Sequence, residues 1–249
     1  MKLSQLKHYL IFFICIFIQI ESYSQKTKTT SVDTMKNLSG NENLWIEIKF
    51  LKGDSHNYPS FALWIESPED SLLKTIYVSK AFVSGVFNYQ PNGDGTWSAD
   101  SGKAQYPAGL PYFLHKYYNS FGKEYGKSDN QIPIVAGISG ATPKSNFVFQ
   151  TSIEEKIEKF KILVEVNQTM DWNDYWTNHK YSDDKDYKSS GQPSVVYSVT
   201  IDLNSSLKEF YLNPIGHGQY SGTDGLLYTD LSTLTTSLKI FDQIIVKVR

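Results

Sequence analysis

Cysteine is nearly absent: Cys15 is the only one in 249 residues. Long apolar runs are equally scarce. The one that stands out, "YLIFFICIFIQI" from Tyr9 to Ile20, contains Cys15 and is about a dozen residues long, short of the roughly 20 a spanning helix needs. Lys2 and Lys7 precede the run, and Ser22-Tyr23-Ser24 follow it with small residues at the −3 and −1 positions of a cut before Gln25. That pattern predicts a signal peptide over residues 1–24 and an exported protein, periplasmic or secreted. Cys15 sits too early, and without the small-residue surroundings, for a lipoprotein box. Cleavage leaves no cysteine, which excludes disulfides, thiolate catalysis and cysteine-bound metals together.

Excess charge of one sign is also lacking. The chain carries 24 basic and 26 acidic residues, for a net charge of −2 that becomes −3 once residues 1–24 are removed. No basic block is present, which excludes the electrostatic footprint of a nucleic-acid binder. The closing "IIVKVR" has no apolar tail, so no stable membrane span is expected after signal cleavage. Catalytic signatures are missing as well. There is no G-x-S-x-G elbow, no H-x-H, H-x-x-x-H or H-E-x-x-H ligand spacing, and nothing singles out a carboxylate pair. No catalytic residue and no metal ligand set is therefore assigned, and the balance leans away from an enzyme.

What the chain does hold is aromatic residues, 14% of the total with 17 tyrosines and 5 tryptophans, and a hydrophobic period of two. Residues 25–42 are polar and unpatterned and predict a flexible leader. From residue 43 the pattern changes. In "LWIEIKF", Ile46, Ile48 and Phe50 alternate with Trp45, Glu47 and Lys49, as in a half-buried strand. "FALWIES" and "LLKTIYVS" flank the turn-like "PEDS" and predict a hairpin. "KFKILVEVNQ", "SVVYSVTIDL", "EFYLNPIG" and "QIIVKVR" supply further strands. Only "GLPYFLHKYYNSFG" and "SIEEKIEKF" have helical character. The expected fold is all-β: an antiparallel β-sandwich, immunoglobulin-like in the broad sense, forming one domain over residues 43–249 with one or two short helices. Two turn-rich insertions, 88–108 and 171–193, are natural places for binding.

Four segments, "SFALWIESPEDSLLKTIYVS", "ISGATP", "VEVNQTMDWNDYW…GQPSVVYSVTID" and "GHGQYSGTDGLLYTDLSTLTTSLKI", resemble the predicted periplasmic family catalogued as domain of unknown function 2271. The resemblance implies an exported β-sandwich and an association with flavin-dependent redox components of the cell envelope.

Three stretches are candidate sites. Ser139-Gly140-Ala141-Thr142 resembles the S/T-G-A-T motif of exported covalent FMN carriers, such as subunits of the sodium-pumping quinone reductase. There the threonine hydroxyl forms a phosphoester with FMN; Thr142 would be that acceptor. The aspartate those motifs place three residues before the serine is Ala136 here. The same letters also fit a strand–strand turn in which Gly140 takes an unusual φ and Pro143 stops extension. In "GHGQYSGTDG", His217 stands among glycines with Asp224 and Asp230 nearby, and either meets a ligand or caps a loop. Trp172, Tyr175, Trp176 and Tyr181 either stack on a sugar or flavin ring or close the end of the core. "NGDGTWSAD" has oxygen donors, but Trp97 occupies the place of the hinge glycine in a calcium loop. "DDKD", Asp183 to Asp186, reads as a solvated loop.

Together these readings predict an exported binding or accessory protein of the cell envelope, with Ser139, Gly140, Thr142, Trp172, Trp176 and His217 as its site. Its partner would be another envelope protein or a small ligand. The alternatives are an electron carrier with FMN on Thr142 and a carbohydrate-binding module or enzyme.

Overall fold

The computed structural model describes residues 32–38, 44–84, 106–126, 133–153 and 157–249, together with four two-residue strand segments between 86 and 103. Residues 1–31, which include the expected signal peptide, and most of the 88–108 insertion, including all of the calcium-like stretch but Trp97 and Ser98, lie outside the described residues.

The strands are β1 (Asp33–Asn37), β2 (Trp45–Lys52), β3 (Ser60–Glu66), β4 (Leu72–Ser79), β5 (Val86–Phe87), β6 (Gln90–Pro91), β7 (Trp97–Ser98), β8 (Gly102–Lys103), β9 (Ile138–Gly140), β10 (Phe147–Ser152), β11 (Lys159–Asn167), β12 (Val195–Asp202), β13 (Glu209–Tyr211), β14 (Asn213–His217) and β15 (Phe241–Val248). The helices are α1 (Lys80–Ser84), α2 (Pro111–Asn119) and α3 (Lys185–Ser190).

Two sheets form the body. One has the order β1-β10-β2-β15-β13 and the other β14-β12-β11-β3-β4-β9. The expected all-β sandwich is what the chain forms. Most pairings are antiparallel, and the two exceptions, β1 on β10 and β9 on β4, are parallel edge strands. Ile46, Ile48 and Phe50 of β2 pack inward with no exposed surface, as their alternation predicts. Phe50, Phe147, Phe61 and Tyr77 fill the space between the sheets, with Phe50–Phe147 and Phe61–Tyr77 stacked at 4.7 and 4.4 Å.

The six-stranded sheet is buried on both faces. Phe61, Leu63 and Ile65 of β3 face the other sheet, whereas Ala62 and Trp64 face outward onto a second core with Leu163, Val196 and α2. Leu110, Phe113, Leu114 and Tyr117 recur at helical spacing and lay one stripe of α2 on that face. This third layer explains why "FALWI" is a continuous apolar run rather than an alternating one.

The start of α2 depends on the sheet. Leu110, at the N-cap, offers no side-chain bond, and Pro111 occupies a first-turn position where its missing N–H costs nothing. The carboxylate of Glu165, on β11 and fully buried, accepts from the Tyr112 and Phe113 N–H groups at 3.1 and 2.7 Å, and from the Ser194 hydroxyl at 2.6 Å. Burial pushes the Glu165 carboxyl up to about 7 against the pull of those three donors. Farther along, Lys116 of α2 meets the fully buried Glu66 of β3 at 2.9 Å, and Trp64 Nε1 donates to the same Glu66 oxygen at 2.6 Å.

Several expectations are corrected. Residues 33–37 are an edge strand inside the stretch read as a flexible leader. "EFYLNPIG" is not one strand: it breaks at Leu212, so β13 joins the five-stranded sheet and β14 the six-stranded one. Of the second helical stretch, Ser152 ends β10, Lys159 and Phe160 begin β11, and residues 154–156 lie outside the described residues. "DDKD" is not a plain loop either. Asp184 caps α3, accepting from the Asp186 and Tyr187 N–H groups.

Candidate functional site

The 171–193 insertion leaves the sheet between β11 and β12 and is tied closed at its neck. Asp171 N–H donates to Ser190 O at 3.0 Å and Gln192 N–H to Asp171 O at 2.8 Å. Gly191 makes that crossing possible. Its φ is +84°, and a Cβ there would stand 2.7 Å from the Asp171 carbonyl oxygen. Within the insertion, Asn173 Oδ1 accepts from the Tyr175 and Trp176 N–H groups at 3.0 and 2.7 Å, a side-chain-built turn that presents the two aromatics. Asn173 Nδ2 donates to Thr233 O at 2.9 Å and to Gln192 Oε1 at 3.0 Å. Trp176 Nε1 donates to Thr233 Oγ1 at 3.1 Å. A short side chain thus pins the aromatic turn against the 233–237 segment.

β14 ends beside this turn. His217 and Tyr228 exchange backbone bonds at 2.8 and 2.9 Å, and their rings stack at 5.5 Å with planes 14° apart. A Cβ on Gly216 would stand 2.6 Å from the Tyr228 carbonyl oxygen, so that close pairing needs a glycine. His217 Nδ1 lies 2.7 Å from the Gly218 carbonyl, which only accepts; Nδ1 therefore carries a proton, and in the neutral ring Nε2 is the acceptor. The Tyr228 hydroxyl donates to Asp224 Oδ2 at 2.9 Å, and that bond to a carboxylate raises the phenol's pKa. Hydrogen bonds from Ser232 hold the Asp230 carboxyl below its usual range.

A cleft of about 190 Å³ opens between these parts, lined by Tyr175, Trp176, His217, Gln219, Tyr220, Tyr228, Asp230 and Thr233. Trp176 forms the floor at 6% exposure. Tyr175 and Tyr228 form the rim at 52% and 38%. The Trp176 ring lies 6.4 Å from His217 and 6.0 Å from Tyr220. Behind the floor, Tyr187 is fully buried against Trp172 at 5.6 Å and Tyr181 at 5.0 Å. Trp176 and His217 therefore line one cleft, and Trp172 supports it through Tyr187. Asp230 lines the cleft beside His217, as its place in the sequence suggested, whereas Tyr228, Asn173 and Gln192 were not among the residues singled out in the sequence.

The Ser139–Thr142 stretch lies elsewhere. Ser139 and Gly140 are strand β9, not a turn, and Gly140 does not take a positive φ. The Tyr77 hydroxyl donates to Gly140 O at 2.8 Å. The Thr142 hydroxyl donates inward to Pro59 O at 2.5 Å. Pairing runs in one row across the sheet from His217 through Val195, Val166 and Phe61 to the Ser79–Gly140 pair. Gly140 and His217 thus share an end of the sheet but stand on opposite edge strands, five strand spacings or about 24 Å apart, while the Thr142 hydroxyl turns back toward the head of β3.

Chemically, the cleft offers ring faces, a histidine acceptor and a carboxylate. Among the described residues no group of three or more His, Cys, Asp or Glu side chains could hold a metal ion. No family model matches this chain, and neither a curated protein nor a solved structure does.

Proposed function

We propose that this is an exported binding protein of the cell envelope, without catalysis of its own, that holds one compact group of its ligand in the Trp176–His217–Tyr228 cleft. The carrying observation is a concave, aromatic-walled space whose floor is fixed by side-chain hydrogen bonds while its rim stays open. A volume of about 190 Å³ is below the ~300–1,000 Å³ of sites that enclose a whole small molecule. One ring or headgroup fits, with the rest of the ligand outside. Export is supported by the Lys2/Lys7, Tyr9–Ile20 and Ser22–Ser24 pattern, and the likeness to the predicted periplasmic family supports an envelope role.

A second reading, a carbohydrate-binding module, is favoured by the two exposed tyrosines flanking the floor, since sugars stack on such faces. The test for both is the indole signal of Trp176 in proton–nitrogen NMR, assigned with Trp176→Phe. The panel is pyranoses, oligosaccharides, free flavins and lipid headgroup fragments. At least one member should shift that signal, and Tyr228→Ala should remove the response with the remaining spectrum intact. A signal unmoved across the panel, or responses confined to other surfaces, overturns the proposal; a response to headgroups but not sugars removes the carbohydrate reading alone.

A further inference from the structure

Lys180 occupies a seat that does not need a lysine. Its ammonium lies 3.1 Å from the Tyr175 ring centroid, 4.4 Å from that of Trp176 and 5.8 Å from that of Tyr181. Tyr220 stacks on Tyr181 at 4.3 Å with planes 8° apart and holds that third ring in place. Lys180 makes no salt bridge among the described residues, although Asp183, Asp184 and Asp186 line the groove it borders. Asp184 is committed to capping α3. The ammonium is thus held by ring faces, whose negative π-clouds attract a cation most when it is partly desolvated.

This groove and the cleft meet at Tyr220, which lines both. Around the joined space stand Asp183, Asp184, Asp186 and Asp230 against Lys180 and Lys185. With Lys180 displaced, its three rings would face a surround of four carboxylates and one remaining cation, Lys185. A tetrahedral alkylammonium suits such a seat better than a primary ammonium. It is larger, is less tightly hydrated and presents polarised methyl groups to several ring faces at once.

We propose that the group taken by the cleft is an organic ammonium, and that Lys180 is a built-in occupant which the ligand displaces from the Tyr175–Trp176–Tyr181 cage. This rests on the cleft being a binding site and names the class of ligand. The lysine acts as an intramolecular competitor: apparent affinity is reduced by the fraction of molecules in which the seat is filled.

The experiment titrates the mature protein with tetramethylammonium and choline, reading the Trp176 indole signal, with 3,3-dimethylbutan-1-ol as the neutral isostere of choline. The ammonium probes should shift the signal and the alcohol should not. Lys180→Ala should tighten binding roughly three- to thirtyfold by emptying the seat. Tyr175→Ala should weaken it. Vesicles of phosphatidylcholine, compared with phosphatidylglycerol, separate a lipid headgroup from a soluble ligand as the source. Equal response to the neutral alcohol, loss of binding in Lys180→Ala, or no response to either cation overturns the inference. A sugar or flavin that shifts the same signal while the cations do not would leave the cleft a binding site and dispose of the ammonium alone.

Discussion

Glu165 shows how much one buried carboxylate does here. It supplies the cap that Leu110 lacks, using both oxygens against the first turn of α2. All three of its partners donate, which favours the charged form, yet burial outweighs them and its carboxyl stands at about 7 rather than the ordinary 4.5. A carboxyl raised on folding stabilises the native state most when protonated. The contribution is complete below about pH 4.5 and is lost as pH climbs through 7. Denaturant midpoints should therefore fall between pH 4.5 and 7.5, with Glu165 responsible for a loss on the order of 3 kcal/mol. Asp171 and Asp186 are also raised by burial and act with the same sign, so the difference from Glu165→Gln is what isolates Glu165. A variant whose pH profile runs parallel to the parent's would remove this role. In "KILVEVNQ" Glu165 reads as an ordinary solvent-facing position. Nothing local reveals that a helix 50 residues upstream covers it.

At the scale of elements, strands whose two faces differ were legible and those covered or bare on both sides were less so. β2 carries its burial in its alternation. β1 has little apolar content and no period, so it passes for leader. α3 is six residues long, too short for a helical repeat to register. The break at Leu212 between β13 and β14 is invisible because both halves are strand-like and only their partners differ. α2 was legible from its stripe, but its docking was not. That docking rests on the Lys116–Glu66 pair as well as on the stripe. Burial works against the charge on Lys116, but the hydrogen bond and charge of Glu66 outweigh it and the lysine's pKa is raised. Removing only the cation strands a carboxylate that has no exposed surface. Lys116→Met should destabilise the fold by about 3–5 kcal/mol. Adding Glu66→Gln, which keeps an acceptor for Trp64 Nε1, should recover most of that loss in urea unfolding. A double variant no more stable than the single one would show that the helix does not depend on this pair.

For the whole molecule, what matters is which loops the sandwich gathers at the His217 end. The 171–193 and 216–230 segments meet there at one edge of the six-stranded sheet, and β9 with Ser139 and Gly140 stands at the other. The sequence placed Trp176 and His217 in one expected site without showing that they meet, because pairing across a sheet is a tertiary fact. Gly218 joins this site to the α2 anchor. Its N–H donates to Ser194 O at 2.9 Å, and its carbonyl accepts from His217 Nδ1. A Cβ there would stand 2.5 Å from Pro111 Cγ, 2.6 Å from Ser194 Oγ and 2.9 Å from Glu165 Oε1. None of the three yields easily. Pro111 is fixed by its ring in the first turn of α2, and Ser194 and Glu165 are bonded to each other without exposed surface. Gly218→Ala must therefore move the start of α2 or push β14 outward, and the second course shifts His217 with it. Overpacking of this kind costs about 1–3 kcal/mol. We expect that loss in thermal unfolding, together with displaced NMR signals at both His217 and Phe113 and weaker ligand response at Trp176. If His217 moves while Phe113 and the stability stay as in the parent, the cleft is mechanically separate from the helix. If all three change together, the cap on α2 and the ligand cleft are two ends of one rigid unit, and substitutions under the helix will tune binding without touching the ligand.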